Sequence, residues 1–534
     1  MLLAAKAAAA VIFFMLLVGV LPCSAQFNSS IRGTVQDPGG AGVPGATAKL
    51  TNLGTNISSI TTTDGSGAYD FRSLAAGEYR LDVEAKNFSP TSIHSILETD
   101  QTLNVPVKLV LGSVSQSVEV QSEAPALDTA DSRLQATLPQ NQIDTLPMQG
   151  RTVISLISLA PGVSGLGLLA AGGTPPDNFN VETYNTVSAN GRGFDGNLYI
   201  VDGLDITSSV RAGVINTSPN PDTIQEVAIQ TNTYSSEYGR AGSIQTAMTT
   251  KSGTNRFHGS ASYFYTSKAF WTSAAFSPIS KKAPFHYNNF SGTIGGPIYK
   301  NHTFFFASVE PLRSLSTGGG ATSFEAPEFV AWSQANNPNS LGTRLMTKYP
   351  MASSTTTTGV SKRASDVLGT ACGTPATQNI PCSLPMIDSG NSSLNPYRDG
   401  TQWSIRGDQN LKSDRLYSSY YNTTLATLTA SPRSGMNISN SQVSHSFQLN
   451  ETHTFSPKML NEAAYGYLAI EGIAGVAGPF DIPIITITGQ GTGIGVGPAH
   501  QDFIQHNYHW RDTFNLVRGR HNIRLGVEGF HGDE

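Results

Sequence analysis

Lys251-Ser252-Gly253-Thr254-Asn255-Arg256-Phe257-His258-Gly259-Ser260-Ala261-Ser262-Tyr263-Phe264-Tyr265 is where strict two-residue alternation sets in. Phe257, Gly259, Ala261, Tyr263 and Tyr265 fall on one side, and His258, Ser260 and Ser262 on the other. A period of two belongs to an extended strand with two unlike faces. The pattern returns at Ala463, Tyr465, Tyr467 and Ala469 and again at Ile523, Leu525 and Val527, each time interleaved with polar or small residues. One apolar, aromatic face and one polar face are what the strands of a lipid-facing barrel require. Connection lengths agree. Short turns at Lys300-Asn301, Ser413-Asp414, Ser456-Pro457 and Gly519-Arg520 alternate with long connections such as Leu312 to Gly400 and Glu471 to Gln501, the asymmetry between the two rims of a membrane barrel.

Composition supports strands. Charged residues make up 13% of the 534, about half the ~25% usual in soluble chains, while glycine (53) is abundant. A formal charge of −5 gives no electrostatic reason to expect nucleic acid. At the start, Lys6, the apolar run Ala7 to Leu21 and the small residues Cys23-Ser24-Ala25 read as a secretory signal, residues 1–25, cut after Ala25. The run is too short to span ~30 Å of hydrocarbon as a helix. Val153 to Gly173 is interrupted by Pro161-Gly162, and Ile470 to Gly497 by repeated glycines, so any further membrane crossing must be made by strands. After cleavage Cys372 and Cys382 remain, inside a Ser/Thr-rich loop, and in an oxidising compartment they can close a disulfide. No histidine lies within sixty residues of either, which leaves a metal site there without ligands.

Residues 26–111 alternate in short runs, for example Tyr79, Leu81, Val83 and Ala85 with Arg80, Asp82 and Glu84 between them. About seven such strands imply a small antiparallel sandwich. Gly33-Thr34-Val35-x-Asp37, Pro44-Gly45-Ala46, Thr63-Asp64-Gly65-x-Gly67-x-Tyr69-x-Phe71 and Gly77-x-Tyr79-x-Leu81-x-Val83 resemble the carboxypeptidase regulatory-like domain. That resemblance implies a transthyretin-like β-sandwich without catalytic groups.

Residues 112–131 form a linker whose Val114-Ser115-Gln116-Ser117-Val118-Glu119-Val120 alternates and could add as an edge strand to another protein's sheet. In residues 132–250, Leu146-Pro147-x-x-Gly150-Arg151 leads into an apolar helical turn through Leu156 and Leu159. Then come Asn190-Gly191-Arg192-Gly193, Asn197-Leu198-Tyr199-Ile200-Val201-Asp202-Gly203, Pro219-Asn220-Pro221-Asp222-x-Ile224-Gln225-Glu226-Val227 and Tyr234-Ser235-x-Glu237-Tyr238-Gly239. In this order they resemble the plug of TonB-dependent outer-membrane receptors, particularly the Oar-like branch that carries a regulatory-like domain in front. Ser252 to Ser260 resembles the plug-to-barrel junction of the same branch.

The resemblance implies a mainly β chain: an N-terminal transthyretin-like β-sandwich in the periplasm, an α+β plug, and a transmembrane antiparallel β-barrel over residues 251–534. About nine strands follow Phe257, an odd number, against twenty-two in the family's barrels, and the last residues, His531-Gly532-Asp533-Glu534, are charged. The barrel is therefore expected to be incomplete and the chain a fragment. The partners implied are a periplasmic TonB-type energy-coupling protein at Val114, Val118 and Val120, outer-membrane lipid, and an extracellular siderophore, oligosaccharide or peptide touching Asn190, Arg192, Asp202 and Asp205. Asp202-Gly203 is equally what a tight turn uses.

Enzymatic chemistry finds no foothold. His531-x-x-Glu534 has a metal-pair spacing but no third ligand or base after it, and His506-x-x-His509 on a strand point to opposite faces. Asn190-Gly191-Arg192-Gly193 lacks the Lys-Ser/Thr of a phosphate loop. No catalytic residue, cofactor or metal is expected, and the function expected is energised uptake of a ligand. The rival is a surface protein that binds carbohydrate or protein without transport.

Overall fold

A computed structural model describes residues 29–112, 118–121, 134–165, 168–169, 177–234, 239–270, 285–316, 318–351, 355–394, 396–429, 431, 433, 436–456, 458–476, 485–486, 493–494, 500–518 and 521–533. The signal sequence, Val114, and the Ser456-Pro457 and Gly519-Arg520 turns lie wholly or partly outside these residues.

The N-terminal sandwich is made of β1 (Ser29–Gln36), β2 (Thr47–Asn52), β3 (Ser58–Thr62), β4 (Ala68–Leu74), β5 (Gly77–Glu84), β6 (Thr91–Leu97), β7 (Thr102–Asn104) and β8 (Val107–Lys108). One sheet has the order β4-β1-β7, with β8 also on β1, and the other runs β3-β2-β5-β6. Their inward residues, among them Ile31, Val35, Leu50, Tyr69, Phe71, Leu81 and Val83, form one closed core. That is the alternation of Tyr79, Leu81 and Val83 turned into packing: odd positions are buried and even ones face outward. The sheet continues one strand further than the sequence suggests, because β9 (Val118–Gln121) pairs in parallel with β6. Three of the seven residues expected to join another protein's sheet, Val118, Glu119 and Val120, thus join their own.

The plug carries a sheet ordered Leu134–Pro139, Ile224–Asn232, Gln245–Thr250, Leu198–Val201, Leu204–Asp205. The apolar turn after Arg151 is a 3-10 helix, Val153–Leu159, whose N-cap Thr152 accepts from the Ile154 amide. Val153, Ile154, Leu156 and Ile157 pack on Tyr199, Val201, Val227, Ile229 and Met248 to form the plug core.

Nine antiparallel strands follow, each bonded to the next in chain order: His258–Ser267, Phe285–Tyr299, Thr303–Ser316, Tyr397–Asn410, Asp414–Thr429, Ile438–Ser456, Met459–Val476, His500–Arg518 and His521–Asp533. Their polarity is inverted relative to a soluble sheet. Ile294, Val309, Trp403, Ile405, Ile504, Trp510, Leu525 and Val527 are exposed, whereas Asn289, Glu310, Gln402, Arg406, Gln448, Gln505, Asn507 and Arg511 are buried. An apolar exterior with a polar interior is stable only where the exterior meets lipid. Among the described residues no helix is long and apolar enough to cross a membrane.

The connection expected to be a long Ser/Thr-rich loop is folded. Gly318–Glu325, Pro385–Leu394 and Thr355–Arg363 make a three-stranded sheet, and helices Pro327–Asn336 and Leu341–Lys348 accompany it. Ala364, Ile380, Met386 and Ile387 form its small core, beside which Cys372 and Cys382 are joined with their Cα atoms 5.1 Å apart. Arg433 clamps this unit by donating to both oxygens of Glu325, at 2.7 and 2.8 Å, and to the Tyr349 carbonyl.

Ile405 stands outward and 46% exposed well inside its strand. Ile405→Arg is expected to destabilise the folded barrel by ~2–4 kcal/mol, the cost of a cation facing hydrocarbon. Heat-modifiable gel migration after refolding in lipid checks this, and an unchanged folded fraction would place that face away from lipid.

Candidate functional site

The candidate site is the seam where the plug meets the inner wall of the nine strands. Asp202 and Gly203 form the two-residue turn between Leu198–Val201 and Leu204–Asp205, with φ of +48° and +89°. Positive φ at both central positions is the type I′ geometry, which Asp-Gly suits. The turn aims the Asp202 carboxylate at the wall. Asp202 Oδ1 accepts from the Thr250 amide at 2.9 Å, and Oδ2 accepts from Arg406 Nη1 at 3.2 Å. Arg406 also donates to Asp408 at 2.8 Å and lies 4.3 Å from the Tyr417 ring centroid. Tyr417 in turn donates to the Asp202 carbonyl, and Gln448 donates to the Val201 carbonyl at 2.9 Å. With its plug partners removed, this arginine would keep only Asp408 to balance a buried charge.

Arg151, at the mouth of the 3-10 helix, makes a second connection. Its guanidinium lies 3.3 Å from Asp222, 3.7 Å from Glu310 on the wall, and 3.5 Å over the Phe264 ring. Asn178 donates to Glu310 at 2.7 Å, Gln402 donates to the Ser218 carbonyl at 2.9 Å, and the Asn220 amide donates to the Tyr421 hydroxyl at 2.9 Å. Nearer the long-connection rim, Arg398 grips both oxygens of Asp177 at 2.7 Å. Apolar contacts join plug and wall as well: Phe179 packs with Leu312 and Leu425, Leu468 joins the plug core, and at two close approaches the wall carries glycine. A Cβ at Gly400 would strike the Phe179 ring at 2.6 Å, and one at Gly466 would lie 2.0 Å from Leu204 Cδ1. Glycine inside a strand marks such close approach.

The expected ligand residues separate into two groups. Asn190 and Gly191 both have positive φ and form a turn closed by the Arg192 amide donating to the Ala189 carbonyl at 3.0 Å, with Asn190 and Arg192 exposed. Asp202 and Asp205 are buried and engaged. Asp205 accepts from the Thr207 amide and from Arg240, both at 2.8 Å, and burial raises its carboxyl above the ordinary value although Arg240 opposes this. His506 and His509 lie on opposite faces of their strand: His509 is buried with Glu528 at 2.6 Å, and His506 accompanies Tyr467 at 2.7 Å. Asp414, Glu451 and His453 bring ligand-type atoms within 4.8 Å of one another, and His453 is already hydrogen-bonded to Asp414 at 2.6 Å. Sequence reasoning missed Arg151, Arg406 and Glu310 as the plug's anchors. For Arg406 and Glu310, a charged residue on the inner face of an otherwise alternating strand was the available signal.

The sandwich closes over the short-turn end. Ser73 donates to Glu462, Arg72 to Asn522 and Arg415 to the Ser73 carbonyl, while Asn255 donates to the Thr55 carbonyl at 2.7 Å. A polar cavity of about 140 Å³ remains between sandwich and wall, lined in part by Arg32, Arg72, Glu462 and Arg524. On the plug side, Glu226 accepts from the Thr99 amide, Gln135 donates to the Thr99 carbonyl at 3.1 Å and Gln230 donates to Asp100 at 3.3 Å.

Residues 249–533 match the outer membrane beta barrel domain family, and residues 30–110 match the carboxypeptidase regulatory-like domain. The chain belongs to the outer membrane beta barrel family. Its place is the outer membrane, as the lipid-facing exterior requires. It is 30% identical over 320 residues to the TonB-dependent transporter Oar of Myxococcus xanthus, a match that takes in 55% of this chain and 28% of that transporter's length. Among solved structures, the outer membrane transporter YddB from Escherichia coli superposes with a TM-score of 0.47 at 11% identity, over 75% of this chain and 48% of that one. The siderophore receptor PirA from Acinetobacter baumannii gives 0.44 at 12% identity over the same shares.

Burial pushes the Glu226 carboxyl up to about 7, with Glu98 and Asp100 adding to the rise and the Thr99 hydrogen bonds opposing it. A carboxyl raised on folding gives stability that is complete below its ordinary value of 4.5 and is lost as pH rises through about 7. Thermal unfolding should therefore show the native chain losing stability between those pH values and Glu226→Gln losing less of it. Equal slopes for the two would remove Glu226 as the source.

Proposed function

We propose that this chain is part of an energised outer-membrane receptor. It binds an extracellular ligand at the outer loops and the plug, and admits it to the periplasm when a TonB-type coupling protein displaces the plug. The observation that carries this reading is the seam itself. Beside apolar contacts at Phe179 and Leu468, the plug is seated on the wall through ion pairs and amide contacts such as Asp202 to Arg406, Asp177 to Arg398 and Gln448 to the Val201 carbonyl. Water can replace such contacts one at a time as the plug moves, whereas withdrawing an apolar plug core would expose hydrocarbon surface at ~25 cal/mol per Å². The 30% identity to a transporter and the exposed Asn190 to Arg192 turn support the same reading. The ligand classes proposed are a siderophore, an oligosaccharide or a peptide, with Asn190 and Arg192 as contacts and Val114, Val118 and Val120 as the coupling segment.

Transport is tested by supplying labelled ferric siderophores, oligosaccharides and short peptides in turn to cells with the full-length gene and to cells deleted for residues 114–120. One class should enter the periplasm only with a proton gradient and only with the segment present. Surface binding that never leads to entry would instead establish an adhesion protein.

The Leu204 and Gly466 contact supplies an independent check. Leu204→Cys with Gly466→Cys should form a disulfide that abolishes uptake, with binding retained and uptake restored by reductant. Undiminished uptake through the locked chain would mean that the plug need not leave the wall there.

A further inference from the structure

Val118, Glu119 and Val120, within the segment read as the coupling strand, are already paired. β9 lies beside β6 in parallel register, Val118 opposite Thr91, Glu119 opposite Ser92, Val120 opposite Ile93 and Gln121 opposite His94. It is the outermost strand of the order β3-β2-β5-β6-β9. On its other side β6 pairs with β5 antiparallel from Gly77 opposite Leu97 to Val83 opposite Thr91. The β6 to β9 ladder is thus the shorter of the two that β6 makes, it stands at a sheet edge, and its parallel bonds are the weaker kind per residue. These are the properties of a pairing that can be exchanged.

The path of force shows why exchange matters. The sandwich that holds β9 is tied to the barrel wall through Ser73 to Glu462, Arg72 to Asn522 and Arg415 to the Ser73 carbonyl. A pull on β9 while it is paired with β6 is therefore shared between the wall and the plug contacts at Thr99 and Asp100. After β9 leaves β6 the same pull bypasses the sandwich and its anchorage and passes to the plug through the chain that leads to Leu134. We propose that the N-terminal sandwich sequesters Val118–Gln121, where the coupling segment ends, as the edge strand of its own sheet and yields it to the coupling protein by strand exchange, so that the sandwich tunes when the plug can be pulled. This inference rests on the coupling reading of residues 114–120 given above.

Ser92 and Glu119 are register partners, so Ser92→Cys with Glu119→Cys offers an oxidisable lock on the full chain in lipid nanodiscs. The probe is the purified periplasmic domain of the coupling protein, and a synthetic peptide of residues 113–122 serves as the unsequestered reference. The peptide and the reduced chain should bind, and the oxidised chain should bind at least tenfold more weakly until reductant is added. In the unaltered chain, amide exchange of residues 118–121 should be slowed before the probe is added, and exchange in β6 should accelerate afterwards. Equal binding by oxidised and reduced chains would overturn sequestration alone, since the partner would then be joining the free edge of β9. A peptide that fails to bind overturns the coupling reading and this proposal with it. If the double variant does not fold or oxidise, exchange in the unaltered chain decides: residues 118–121 exchanging at unstructured rates would overturn the proposal.

Discussion

The inner face of the nine strands is studded with buried ionic and amide groups, and that constraint governs the rest of the chain. Arg406, Glu310, Gln402, Gln448, Gln505 and Arg511 all lie inside, buried. A buried polar group without a partner costs ~1–3 kcal/mol, and a buried charge more. The plug supplies many of the partners: Asp202 for Arg406, Asn178 for Glu310, the Ser218 carbonyl for Gln402 and the Val201 carbonyl for Gln448. Plug and wall are therefore complementary in their polar groups, with apolar contact added where Phe179 meets Leu312 and Leu425 and where Leu468 joins the plug core. The contact is specific because Arg406, Glu310, Gln402 and Gln448 each meet an assigned plug group, and separable because each such partner can be exchanged for water.

The sandwich obeys different physics. Its core is apolar and closed on itself, from Ile31 through Leu81 to Leu109, with no barrel residue in it. What it offers the rest of the molecule is its rim. The turn at Thr99 and Asp100 meets the plug sheet, and Arg72 and Ser73 meet the wall. One small domain thus touches both the part proposed to move and the part that stays fixed, while its sheet edge holds Val118–Gln121.

The barrel strands were legible because lipid on one side and protein on the other force strict alternation, and Tyr263, Tyr465 and Leu525 stand exposed as that period requires. The Asp202-Gly203 and Asn190-Gly191 turns were legible because positive φ restricts residue choice. The connection after Leu312 was not. Its small core draws on residues as distant as Phe329 and Ile387, with threonine-rich strands between, so no local period announces it. Nor was the pairing of Val118–Gln121. An alternating strand states that it will join a sheet and leaves open which one, since backbone hydrogen bonds carry no address.

By itself, then, the sequence determined the classes of element: lipid-facing strands, a compact sandwich and a glycine-turned plug, all set by local periodicity and backbone sterics. Only the tertiary structure decided the partners. It paired Arg406 with Asp202, set Gly466 against Leu204 and laid β9 beside β6. Partner choice depends on which groups reach one another after the chain has closed, and residues more than 200 apart in sequence, such as Asp202 and Arg406, have no shared period through which to declare it.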